Sequence, residues 1–332
     1  MLTDKTQGRS ERFSNASPYL SLLITMVMFG SAFASSKFVV GELPHEVAAA
    51  LRFGGGGVLL MVLSMALHIK SKPIGVGAAM SAAFAGLLGV FAYNLFFFWG
   101  LSLAPSIDGS VIVPVLSPII TTAILLSLGR EKASATRILG LFLGLVGAAV
   151  FLFGAGTAES LKTRMAGDLF FVVGACSWAL YSIVSKTLLS KGNIDPLRAT
   201  TWATASGALA LMALAVPHVQ AVDWSSVSRL AWYNIAYLCV GPTAIAYLLY
   251  YYGLQRVSAS TATIMMFTVP FFGSFFSILF LGESIRGIQM TGATVMLAGS
   301  FIAVILAQKP TGEDANEPLE GSEGKLAHTK AS

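Results

Sequence analysis

The amino-acid sequence predicts an all-α integral membrane protein, with ten transmembrane helices arranged as two inverted five-helix repeats. Three observations lead there. Of 332 residues, 55% are hydrophobic and only 11% charged, against roughly 25% charged in an ordinary soluble domain. Apolar windows of about 20 residues, the length of helix that crosses a bilayer, recur along the chain with short polar breaks between them. The second half also repeats features of the first at a nearly constant offset.

The windows are 19–39, 47–67, 77–99, 109–128, 137–154, 168–186, 199–217, 230–252, 259–281 and 288–307. Lipid offers the backbone no hydrogen-bond partner, so runs of this length read as helices, and the alternation of a membrane β-barrel is missing. The first window follows a basic tail (Lys5, Arg9, Arg12). It is too long for a signal peptide and carries no convincing cleavage site. The second contains the run Gly54 to Gly57, which lacks the Gly-Lys-Ser/Thr ending of a phosphate loop and suits close helix contact instead. Gly140 and Gly144 in the fifth carry the same reading. Cys176 and Cys239 fall in the sixth and eighth windows, where they are expected to pack as small apolar groups.

Positive charges set the expected orientation. With the N-terminus in the cytoplasm, Lys70, Lys72, Arg130, Lys132, Arg137, Lys186, Lys191, Arg198, Arg256 and Lys309 join the basic tail on the inner side. Only Lys37, Lys162, Arg164, Arg229 and Arg286 lie on the outer side. Both termini are therefore expected in the cytoplasm of a cell with a bacterial inner membrane. The net charge of +5 is thereby explained without nucleic acid. The acidic, Gly- and Glu-rich stretch 308–332 reads as a disordered extension.

The fourth window and its surroundings, "SIDGSVIVPVLSPIITTAILLSLGRE", recur in altered form. Pro118 stands thirteen residues before Glu131, and Pro270 thirteen before Glu283; Gly140 and Gly147 answer to Gly292 and Gly299 at the same offset of 152. "FGSAFASSK" ends at Lys37 and "WALYSIVSK" at Lys186, while "WGL" at Trp99 faces "YGL" at Tyr252. The division expected is a tail (1–17), a first repeat (18–156), a second repeat (167–307) and the acidic extension. An odd number of spans per repeat inverts the second relative to the first, the plan of many secondary transporters.

On these residues the chain resembles the EamA family of the drug/metabolite transporter superfamily. The likeness covers roughly residues 18 to 307, with Phe29 where the family often has Trp. The resemblance implies a ten-helix carrier of small organic solutes, often amino acids or related metabolites, and frequently an exporter.

Candidate cavity residues follow from helical spacing. Ser110, Pro114, Ser117 and Thr121 share one face of the fourth helix, as do Ser260, Thr263, Phe267 and Pro270 on the ninth. A proline frees the carbonyl one turn earlier, tolerable only against protein or a wet cavity. Close packing of small residues is the competing account. Tyr93 and Asn94 on the third helix, Trp178 and Tyr181 on the sixth, and Tyr247 and Tyr251 on the eighth suit an amphipathic or aromatic solute, or else an interfacial belt.

Charges at membrane depth are few. Asp108, in the first turn of the fourth helix, is expected to stabilise the helix dipole at a water-accessible end. Proton coupling and binding of a substrate amine are its other readings. Arg52 either binds an anionic group or snorkels to the interface. Lys37, Lys186, Glu131 and Glu283 close equivalent helices and suit interhelix pairing.

With His45, His68, His218 and His328 all in loops, ends or the tail, no metal cluster, nucleophile–base pair or nucleotide loop is expected, hence no enzyme and no cofactor. The function expected is secondary transport of a small organic metabolite by alternating access, outward on the family likeness. Uptake or exchange is the alternative, and a non-transporting membrane protein the alternative of another class. The partners are a small-molecule substrate and the lipid bilayer; self-association is left open.

Overall fold

The computed structural model describes residues 4–66, 75–130, 134–154, 158–190, 194–256, 265–304 and 306, and their regular structure is helical throughout. Glu131, Ser260, Thr263 and the acidic extension lie outside the described residues, as does the side chain of Tyr251. Helix α1 (Asp4–Val40) continues through Pro18. Next come α2 (His45–Ala66), α3 (Val76–Gly86), a π-helical segment (Leu87–Ala92), α4 (Tyr93–Leu103), α5 (Ser106–Ser127) and α6 (Ala135–Phe153). The second half runs α7 (Ala158–Ser190), α8 (Pro196–Val219), α9 (Arg229–Leu238), a second π-helical segment (Cys239–Ile245), α10 (Ala246–Arg256), α11 (Val269–Leu281) and α12 (Gly287–Val304).

Among the described residues, seven helical stretches are long and apolar enough to cross a membrane: Pro18–Val40, His45–Ala66, Val76–Leu103, Ser106–Ser127, Ala135–Phe153, Lys162–Leu189 and Leu197–Val219. Helices α11 and α12 are apolar but shorter. Large apolar side chains such as Phe142, Leu209, Phe271 and Phe280 remain exposed, a surface suited to lipid.

Local chemistry explains the boundaries. Ser134, Asp195 and Ser228 each cap a helix by accepting from the backbone N–H three residues on. Helices α5 and α11 both end at a glycine with φ of 65°, Gly129 and Gly282, a left-handed turn that β-carbon-bearing residues resist.

The two halves match in detail. The π-helical segments begin at Leu87 and Cys239, which are 152 residues apart (239 − 87), the offset read from the glycines. Helix α6 packs most extensively on α12 and α2 on α8; α4 on α7 is answered by α10 on α1, and α5 on α7 by α11 on α1. Each pairing maps onto itself or onto another when the halves are exchanged. At the α6–α12 crossing, Gly140 and Gly144 meet Gly299 while Gly147 meets Gly292, backbone against backbone. Small residues permit this approach. The run Gly54 to Gly57 likewise lies against α8 and the second π segment, facing Met212, Cys239, Thr243 and Ala208.

Candidate functional site

One cavity sits where α1, α2, α4, α5, α7 and α10 converge, with Met266 and the first residue of α11. It is lined by Phe29, Ala32, Phe33, Arg52, Tyr93, Phe97, Val113, Pro114, Trp178, Tyr247, Met266 and Val269, and is open in part to the exterior. The rings interlock: Tyr93 to Trp178 at 5.0 Å between centroids, Phe29 to Tyr247 at 5.6 Å, Phe33 to Phe97 at 5.1 Å. Phe29 and Trp178, counterparts in the two repeats, touch edge to face at 6.2 Å. The internal symmetry therefore passes through the cavity.

Arg52 is the cation of this space. It is only 5% exposed, with its guanidinium over the rings of Phe53, Phe97 and Phe98 at 4.8, 5.7 and 6.0 Å. Its hydrogen bonds are long and go to neutral hydroxyls, Nε to Thr243 at 3.2 Å and Nη1 to Ser36 at 3.3 Å. Among the described residues no carboxylate pairs with it. The indole Nε1 of Trp178, also buried, has no acceptor there. The aromatic chamber thus holds a guanidinium bonded to neutral hydroxyls and, among the described residues, an indole N–H without an acceptor.

Of the residues expected at the cavity, the structure brings together Tyr93, Pro114, Trp178, Tyr247 and Arg52. Tyr181 is one layer back, tilted against Trp178 at 5.2 Å between centroids and packed over Gly89. Phe267 lies in a turn beside the lining residue Met266. Pro270, expected as a kink inside the ninth helix, instead occupies the first turn of α11, where proline costs no hydrogen bond.

The hydroxyls do not face the cavity. Ser110, Ser117 and Thr121 return their hydrogen bonds to backbone carbonyls of α5, those of Ile107, Val113 and Ser117, and Ser110 packs against Gly273. Asn94 is fully buried and donates to the carbonyls of Val90 and Gly89, at 2.9 and 3.4 Å. It serves the first π segment, whose widened turn leaves carbonyls to be satisfied.

Asp108 differs most from expectation. It is fully buried, and its oxygens receive Arg164 Nε at 2.7 Å, Arg164 Nη2 at 2.8 Å and Gln289 Nε2 at 3.2 Å. Arg164, expected in an outer loop, stands within α7. The orphan amides of α5 are capped by Glu283 instead, which accepts from the backbone of Ser106 and Ile107 and from the Ser106 hydroxyl, at 2.8, 2.9 and 3.0 Å. Beside it, Lys37 Nζ donates to the carbonyls of Leu101 and Ala104 at 2.5 and 2.9 Å. These contacts latch the end of the bundle where α1 finishes. Lys186, the counterpart of Lys37, is exposed.

Sequence comparison agrees with the architecture. The model of the EamA-like transporter family matches twice, at residues 16–153 and 165–305. The uncharacterized transporter YyaM of Bacillus subtilis is 27% identical over 86% of this chain and 92% of its own length. The aromatic amino acid exporter YddG of Ancylobacter novellus is 24% identical over 86% and 96%. One solved crystal structure, at 21% identity, superposes with a TM-score of 0.60 over 89% of this chain and 98% of its own, a likeness of fold.

Proposed function

From the premise that the chain belongs to the EamA-like transporter family, we propose that it is a secondary carrier of a small organic acid with an aromatic or bulky apolar body. Amino acids are the nearest class, and the direction is export by alternating access across the cytoplasmic membrane. The observation that carries the reading is Arg52, a buried cation with no carboxylate partner among the described residues, in a chamber walled by Phe29, Phe33, Tyr93, Phe97, Trp178 and Tyr247. A substrate carboxylate would take the guanidinium in a charge-assisted bond. The side chain would lie against the rings.

Ten spanning helices in two inverted repeats, with both termini in the cytoplasm, fit the recurrence of pairings and π segments under exchange of the halves. The unequal state of equivalent lysines supports alternating access: one is latched and the other exposed. Arg52 is the one cation among the described residues that line the chamber, which favours a singly charged acid over multiply charged sugar or triose phosphates. The relative YddG, an aromatic amino acid exporter, points the same way.

Expression should raise tolerance to toxic aromatic amino acid analogues, and inside-out vesicles should accumulate phenylalanine or tryptophan. Uptake confined to right-side-out vesicles would reverse the direction. No flux in either orientation for any amino acid would remove the reading.

A further inference from the structure

The outer latch holds a second carboxyl that the cavity does not use. Asp168, on α7 one turn after Arg164, is fully buried, and neither of its oxygens accepts a hydrogen bond among the described residues. It stands one helical turn from the residue whose guanidinium holds Asp108, so the two buried carboxyls share one neighbourhood. Two carboxylates are both acceptors, so a direct contact between them needs a proton. Asp108 already has its own donors in the Arg164 fork and Gln289. It is the satisfied anion of the pair.

The neighbouring charges leave Asp168 uncompensated. Lys37, from α1, directs its ammonium to the carbonyls of Leu101 and Ala104, and Glu283 is taken up by the start of α5. Arg164 is committed to Asp108 through both Nε and Nη2. Helices α3, α4, α11 and α12 and the first π segment contribute no Asp, Glu, Lys or Arg, and α6 contributes Arg137 alone, in its first turn. Lys162 on α7 and Arg286 before α12 are exposed, so among the described residues one guanidinium serves two buried carboxyls, and like charges so placed do not both ionise.

We propose that Asp168, paired with Asp108, is the proton-binding site of the carrier, and that the proton it takes up and releases is the coupling ion. This rests on the transport reading above. The step balances simply: the Asp168 carboxylate gains one proton from the aqueous phase to become a carboxylic acid donating to Asp108, and yields that proton when the latch opens and water reaches it. In the latched state release would leave two anions facing one guanidinium out of water. Proton release and opening are thereby tied together.

Infrared difference spectroscopy on the full chain in lipid nanodiscs tests the site without any solute. At pH about 7, where exposed carboxylates are ionised, the wild type should retain a protonated-carboxyl stretch that Asp168→Asn lacks. Asp108→Asn should shift that band, which keeps the test open if Asp168→Asn does not fold. No such band in the wild type, an unchanged band in Asp168→Asn, or a band that responds to sodium but not to pH would overturn the site.

Proteoliposomes then test coupling. The wild type should accumulate phenylalanine against its gradient when a pH difference is imposed, and Asp168→Asn should retain exchange while losing at least tenfold of that accumulation. Equal accumulation by both would overturn the coupling. Absence of exchange in the wild type would instead count against the carrier reading, the infrared band still deciding the proton site.

Discussion

Arg52→Met will cut transport steeply while raising thermal stability. A buried ion costs several kcal/mol to remove from water unless paired, and Arg52 meets only two long bonds to hydroxyls and the faces of three rings. Methionine fills similar volume without that penalty, so the unfolding midpoint of the purified protein should rise. Transport should fall by about a hundredfold, from the roughly 3 kcal/mol lost when one partner of a buried charge pair is removed. Arg52→Lys keeps the charge but loses the planar fork, so it should fall between the two. A thermal-shift assay beside vesicle uptake measures both effects. A destabilised Arg52→Met protein would mean that the cation holds the helices together rather than awaiting substrate.

Gly299→Leu should do the opposite, damaging the fold before the function. A β-carbon at Gly299 would fall within 3.0 Å of the backbone of Gly144 and of Gly140. Backbone cannot rotate away as a side chain can, so α6 and α12 must separate along their tightest contact. Overpacking costs typically about 1–3 kcal/mol and occasionally more, and leucine adds three further carbons. The expected result is a lower unfolding midpoint and loss of monodisperse protein on gel filtration, with Gly299→Ala intermediate. Gly77→Ala is the control: nothing lies within 4 Å of its position in α3, and alanine in a helix gains about 0.5–1 kcal/mol over glycine. Equal behaviour of the two sites would refute the close crossing.

Much of the scaffold was legible because the bilayer imposes a coarse rule on composition and length, and a repeat displays itself at a fixed offset. The cavity aromatics Tyr93, Trp178 and Tyr247 were legible for the same reason, as polar-tipped rings within apolar runs. The hydroxyl stripe on α5 misled: serine and threonine in an apolar helix satisfy themselves on the preceding turn, and spacing alone does not separate that from a cavity face. The π segments left no signal, since the first contains no proline at all.

The Asp108 environment was hidden in another way. Arg164 and Asp168 stand one turn apart on α7, a spacing that marks a shared helix face. Their meeting with Asp108 depends on the packing of α5 against α7, which no local pattern encodes. Glu283 was better signalled, by its repeated distance from a proline, although its task of capping a helix from the other half needed the fold to be seen.

The central claim, that Arg52 receives a substrate carboxylate within the aromatic chamber, is tested most directly by counterflow in proteoliposomes preloaded with phenylalanine. Phenylalanine amide and phenethylamine, which keep the ring and lack the carboxylate, serve as competitors. The account predicts that phenylalanine and phenylpyruvate inhibit labelled exchange and that the two neutral-headed or amine-only analogues do not. Inhibition by phenethylamine as strong as that by phenylalanine would contradict it, placing recognition on the ring and the amine and leaving Arg52 without a role in binding.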